Sequence, residues 1–213
     1  MAKKLRLLYT VTKSISTTIT MKTTLLHNRK PSSSNHMLLA ILFLFSVMQT
    51  HAQKVIVNGT ESNGKLQWND FRGKIDKSSS FAAYTFYNLG WKVKGARASG
   101  DSMIIEGFEV TVEFNDKNSW VKMERATPQL LLHEQGHFNI GILAVREAME
   151  TFKKTKFTQA NFKELLPKMV STISKKYSEM GVVYDKETDH SKNADMQNTW
   201  NSFFAERLPE LYK

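Results

Sequence analysis

The chain has 213 residues, no cysteine and a formal charge of +10, which allows one domain with a substantial core and excludes disulfide cross-links. Seven of the 30 Lys and Arg but none of the 20 acidic residues lie in the first 52, so the remainder carries 23 basic against 20 acidic residues. That near balance, with no basic run interleaved with aromatics, excludes a nucleic-acid groove.

The basic first segment ends in the apolar run from Met37 to Met48, too short to span a bilayer and of the length found in the core of a signal peptide. Thr50-His51-Ala52 supplies small residues at both positions a signal peptidase inspects, so cleavage is expected near Ala52, with Met21 a candidate start. The expected organisation is a leader over 1–52 and one domain over 53–213. The mature protein is expected to be secreted or periplasmic, without stable membrane insertion, and a monomer.

The stretch from Val55 to Met123 reads as β structure, with strands at Val55–Val57, Leu66–Trp68 and Phe81–Val93 separated by Gly, Asn and Ser. Strict alternation over Phe108–Phe114 gives the clearest strand, with one wet face. Asn115–Asn118 has turn chemistry, and Ser119–Met123 is expected to return as its hairpin partner. Thr127-Pro128 then supplies an N-cap and a first helical residue for a helix to about Lys154, apolar nearly all round in its first half. A second helix is expected from beyond Thr158 to a cap at Gly181, with Pro167 a kink or a later start. An extended Val182–Asp185 and a third helix from about Asn193, carrying Met196, Trp200, Phe203 and Phe204 on one face, complete the chain. Strands followed by helices make an α+β protein with an N-terminal antiparallel sheet and a helical half.

The first long helix carries His133-Glu134-Gln135-Gly136-His137, and only one further histidine, His190, follows the leader. Four helical residues advance about 400° and roughly 6 Å, so both imidazoles leave one face and can share one ion, while Glu134 stands about 100° away. Two His ligands with an adjacent carboxylate suit one Zn2+, which lowers the pKa of its water to about 7, and Glu134 as catalytic general base. Burying these groups in an apolar helix would be costly without a compensating cation.

A third ligand must come from elsewhere. Leu143 stands where a metzincin would have its third histidine, and Glu147 and Glu150 lie about 15 Å or more along the axis from His137. His190 is the candidate, in the polar stretch Tyr184-Asp-Lys-Glu-Thr-Asp-His190, where Asp185, Glu187 and Asp189 compete. Tyr184 and Tyr177 are candidate oxyanion stabilisers.

The motif Leu-Leu-His133-Glu-Gln-Gly-His137-Phe-Asn-Ile140, followed by Tyr184-Asp185-x-Glu-Thr188-x-His190, resembles a family of bacterial predicted secreted zinc-dependent proteases. The likeness extends to the Leu66–Phe71 opening and covers most of the mature chain. It implies a zincin-like fold, zinc on His133, His137 and His190, and catalysis by Glu134. Ser191 departs from the Gly expected there.

These readings together predict a secreted zinc metallopeptidase acting on a peptide or protein, with a strand edge near Phe108–Met123 receiving an extended substrate. The alternative is a noncatalytic zinc-stabilised binding module of the cell envelope, presenting the aromatic strands Phe81–Trp91. A third, weaker reading is a metal-free envelope interaction protein.

Overall fold

The computed structural model describes residues 52–211; the expected leader, Ala52 apart, lies outside them. The observed class is α+β. Strands β1 (Ala52–Val57), β2 (Thr60–Glu61), β3 (Ala83–Tyr84), β4 (Tyr87–Ser99), β5 (Ser102–Phe114) and β6 (Trp120–Val121) precede helices α1 (Pro128–Lys154), α2 (Phe162–Thr188) and α3 (Ala194–Arg207). Ala52 already pairs with Glu109, so cleavage after it would remove the first residue of β1.

The main sheet has the order β2-β1-β5-β4, and β3 and β6 form a separate two-stranded sheet. Alternation in β5 sets Phe108, Val110, Val112 and Phe114 against the core; on the opposite face Glu113 is exposed, whereas Glu109 is buried under Lys54 and Lys92, which pair with it at 3.2 and 2.8 Å. Helix α1 packs on this inner face and, on its other side, against α2 and α3. Phe108 stacks on Phe152 at 4.1 Å and Phe114 meets Phe138 edge-on at 5.7 Å, so aromatic contacts join sheet and helix. Gly141 permits the close approach, since a Cβ there would lie 2.8 Å from the Tyr87 ring and 2.9 Å from Val112.

Several expectations are corrected. The hairpin partner of β5 is β4, through a tight turn in which Gly100 has φ +55; Ser119–Met123 instead contributes β6, which pairs with β3. Asn115–Asn118 folds back so that Asn115 N–H reaches the Phe86 carbonyl, turning the chain off the sheet. The sheet is also mixed, because β1 runs parallel to β5. Leu66–Trp68 is no strand: Trp68–Asp70 is a 3-10 turn whose entry Asp70 caps by accepting from Gln67 N–H.

Helix α1 matches its expected limits, with Thr127 Oγ1 accepting from Leu130 N–H and Pro128 at the first position. Helix α2 does not end at Gly181. It continues through Val182–Asp185, read as extended, to Thr188, and Asp189 closes it in the left-handed conformation with φ +46. A glycine inside a helix costs only about 1 kcal/mol, and burial of Tyr184 and Thr188 on this last stretch outweighs it.

Candidate metal centre

His133 and His137 leave α1 toward the C-terminal turn of α2, with ring centroids 4.9 Å apart. His133 and Glu134 are buried, His137 is partly exposed and His190 is exposed, so the group has a closed floor and an open mouth. Asp185 Oδ1 is the common neighbour of all three imidazoles, 3.2 Å from His133 Nε2, 3.0 Å from His137 Nε2 and 3.4 Å from His190 Nδ1. The donor atoms of His133, Asp185 and His190 lie within 4.8 Å of one another.

The surroundings of His133 define what this cluster lacks. Its Nδ1 faces Gln197 Oε1 at 3.1 Å and Thr188 Oγ1 at 3.4 Å. Gln197 is oriented by its amide nitrogen, which donates to Tyr184 OH and to Asn201 Oδ1, and the Thr188 hydroxyl donates to the Tyr184 carbonyl at 2.7 Å. Both groups facing Nδ1 therefore accept, which assigns the proton of the neutral ring to Nδ1 and leaves an Nε2 lone pair directed at Asp185. Asp185 Oδ1 is itself buried and, although three nitrogens are close, is left without a hydrogen-bond partner. Lone pairs meeting in a buried site call for a cation. The three separations between ring nitrogens and Asp185 Oδ1 also suit one, since N and O ligands around a tetrahedral zinc lie roughly 3.3 Å apart. The residues present thus fit a divalent ion.

The geometry separates the competing residues. Asp185 enters the cluster; Glu187 accepts from Trp200 Nε1 at 3.0 Å on α3, and Asp189 serves as the helix cap. His190 also reaches the cluster, with its ring on Phe81 at 4.9 Å. Glu147 is occupied elsewhere, accepting from Tyr177 OH at 2.9 Å and pairing with Lys176, which also removes Tyr177 as an oxyanion stabiliser. Tyr184 is fully buried, stacked on His133 at 4.8 Å, and donates to the His133 carbonyl at 3.0 Å. That bond commits its proton, so it braces the histidine rather than facing a substrate.

Three contributors escaped the sequence reading because nothing local marks them. Thr85, just after β3, donates from its hydroxyl to Glu134 Oε2 at 2.6 Å and holds the buried carboxylate in place. Gln197 sets the His133 tautomer. Gly136, between the two histidines, makes room for Tyr184: a Cβ there would stand 2.2 Å from the tyrosine oxygen.

Charges reinforce one another in the cluster. With ring protons standing in for the ion, burial would still raise the Asp185 carboxyl, but donation from the imidazoles of His133 and His137 outweighs it and holds it well below its ordinary range. Burial likewise opposes protonation of His137, yet Asp185 and Glu134 beside it leave the imidazole raised above its ordinary value. A surface hollow of about 460 Å³ at Lys74–Ser78 has no such convergence of donors, so chemistry rather than volume locates the site.

A family model described as bacterial protein of unknown function (DUF922) matches residues 56–193, well over half of the chain. The chain belongs to this family. The DUF922 match runs from β1 past His190 and so contains every residue of the cluster except Gln197. No curated protein matches the chain, and no solved structure matches it.

Proposed function

We propose that this DUF922 protein is a zinc-dependent peptidase with a zincin-like arrangement, exported through its N-terminal segment and acting on a peptide or protein. The observation that carries the reading is the meeting of three imidazoles and Asp185 at one point, with the Glu134 carboxylate on the next residue of the same helix. Zinc held by His133, His137 and donors from the Asp185–His190 segment would supply a Lewis acid that acidifies water and polarises an amide carbonyl. Glu134, held by Thr85 through Oε2, is the group able to take a proton from water and return it to the leaving amine. Gln197 and Tyr184 keep the His133 ring fixed while this occurs.

The edge expected near Phe108–Met123 is limited to part of that range. Strand β5 lies between β1 and β4 and offers no edge, whereas β6 belongs to the two-stranded sheet with β3. The segment around β3 carries Thr85 against Glu134 and Phe81 against His190, and an extended substrate is better placed along it.

A second reading has its own support. Asp185 Oδ1 lies within 3.4 Å of a ring nitrogen of each of three histidines, and these residues together would supply the four protein donors of a closed structural site, while Phe81, Tyr84, Phe86 and Trp91 are exposed as a binding module would require. One experiment separates the two: zinc analysis of the full chain purified without added metal, with peptide-library cleavage beside Glu134→Gln. The peptidase reading expects bound zinc in both proteins and a turnover lower by about 10²–10⁴-fold in the variant. Zinc with no Glu134-dependent cleavage would favour the binding module. Export is tested by fractionating cells that express the chain; among the described residues no helix is long and apolar enough to cross a membrane.

A further inference from the structure

Resting on the metal-centre reading above, we propose that Asp185 is a direct ligand of the cation, forming with His133 and His137 the permanent donor set, and that His190 is a fourth donor that leaves to open the site.

The two candidates differ in how firmly the fold holds them. Asp185 lies inside α2, its carbonyl accepting from the N–H of Asp189 and of His190, with Tyr184 beside it fully buried. Its Oδ1 is buried, lacks a hydrogen-bond donor and sits at the focus of the imidazoles. A carboxylate oxygen so placed is stable only as a ligand or against protonated rings.

His190 lies beyond the helix end in a run of three left-handed residues, Asp189, His190 and Ser191, with φ of 46°, 50° and 76°. None is glycine, so each carries a steric penalty that a rearranged backbone would relieve. Its side chain is 43% exposed and makes the longest of the three approaches to Oδ1. The Phe81 ring it rests on is itself exposed. With all four donors engaged no corner is left for water or substrate, so a catalytic cycle requires one of them to go. The strained, half-exposed histidine is the one the structure holds least.

The test uses the full chain and its Asp185→Asn and His190→Ala variants, with zinc alone as probe, titrated against a chromogenic chelator. The visible spectrum of the cobalt(II)-substituted proteins is a second readout. Asp185→Asn is expected to weaken zinc binding by at least about 100-fold and His190→Ala by at most about 10-fold, while the His190→Ala cobalt spectrum shifts through loss of a nitrogen donor. The assignment is overturned if His190→Ala abolishes binding while Asp185→Asn keeps the parental affinity, or if the His190→Ala spectrum is unchanged. The spectrum of His190→Ala judges the histidine even should Asp185→Asn fail to fold. A parental chain that takes up no zinc instead overturns the metal-centre reading itself.

Discussion

Gly136→Ala probes the contact between α1 and α2 that holds the candidate centre together. An added methyl would lie 2.2 Å from Tyr184 Oη, 2.5 Å from its Cζ and 3.0 Å from its Cε1, and no real Cβ tolerates the first two distances. Tyr184 is fully buried and cannot swing into solvent. It must shift against His133, Trp200 and Phe204, whose rings lie 4.8, 5.2 and 5.9 Å away. Overpacking of this kind costs about 1–3 kcal/mol. Losing the bonds of Tyr184 OH to the His133 carbonyl and Gln197 amide strands buried polar groups for about 1–3 kcal/mol more. Helix propensity returns about 1 kcal/mol for Gly→Ala, leaving a net loss of roughly 1–5 kcal/mol. In a domain this size that lowers Tm by roughly 2–20 °C. Thermal and urea unfolding measure it, and the Tyr184→Phe background gives a cycle in which the two changes should couple, since the phenol oxygen is the atom most overlapped. A neutral or stabilising Gly136→Ala would refute the close approach and with it the placement of Tyr184 beneath the motif.

Replacing Gln197 with Leu removes the acceptor that fixes the His133 tautomer and is expected to lower zinc affinity about 10–100-fold with the fold retained, read by chelator competition and circular dichroism. In chelator-treated protein, the depressed Asp185 carboxyl contributes stability above its ordinary 3.8 that is lost as pH falls through the lower folded value. The raised His137 imidazole contributes stability below its ordinary 6.5 that is lost as pH rises through the higher folded value. The metal-free Tm should therefore peak between those two values and decline on both sides, and a rising profile from pH 6 to 8 would contradict it. Zinc should restore most stability on the alkaline side, where its ligands are deprotonated. Ser191→Gly relieves a residue at φ +76 and should raise stability by roughly 0.5–1 kcal/mol, measured by denaturant unfolding.

Features set by neighbouring residues were legible in the chain alone. Thr127-Pro128 marks the start of α1 because a hydroxyl cap and a ring-locked φ act within one turn. The facing of His133 and His137 follows from helical pitch, and alternation over Phe108–Phe114 marks β5 because a sheet with one wet face demands it. The Gly100-Asp101 turn that makes β4 the partner of β5 was also present in the sequence, but the Asn115–Asn118 signal competed with it. Gly181 misled because a glycine is an affordable interruption wherever tertiary burial favours continuing the helix.

Helix phase, strand pairing and approach between distant elements needed the folded molecule. Asp185 and Glu187 are two residues apart and equally acidic, yet two helical residues turn about 200°, sending one to the histidines and the other to Trp200. No local pattern states that β1 lies parallel to β5, that Thr85 meets Glu134 49 positions away, or that Gln197 from a third helix sets the proton on His133. Such contacts depend on which surfaces pack together, and packing is a property of the whole chain. Short-range chemistry thus specified the donors on α1, while burial of α2 and α3 against that helix decided which carboxylate joins them.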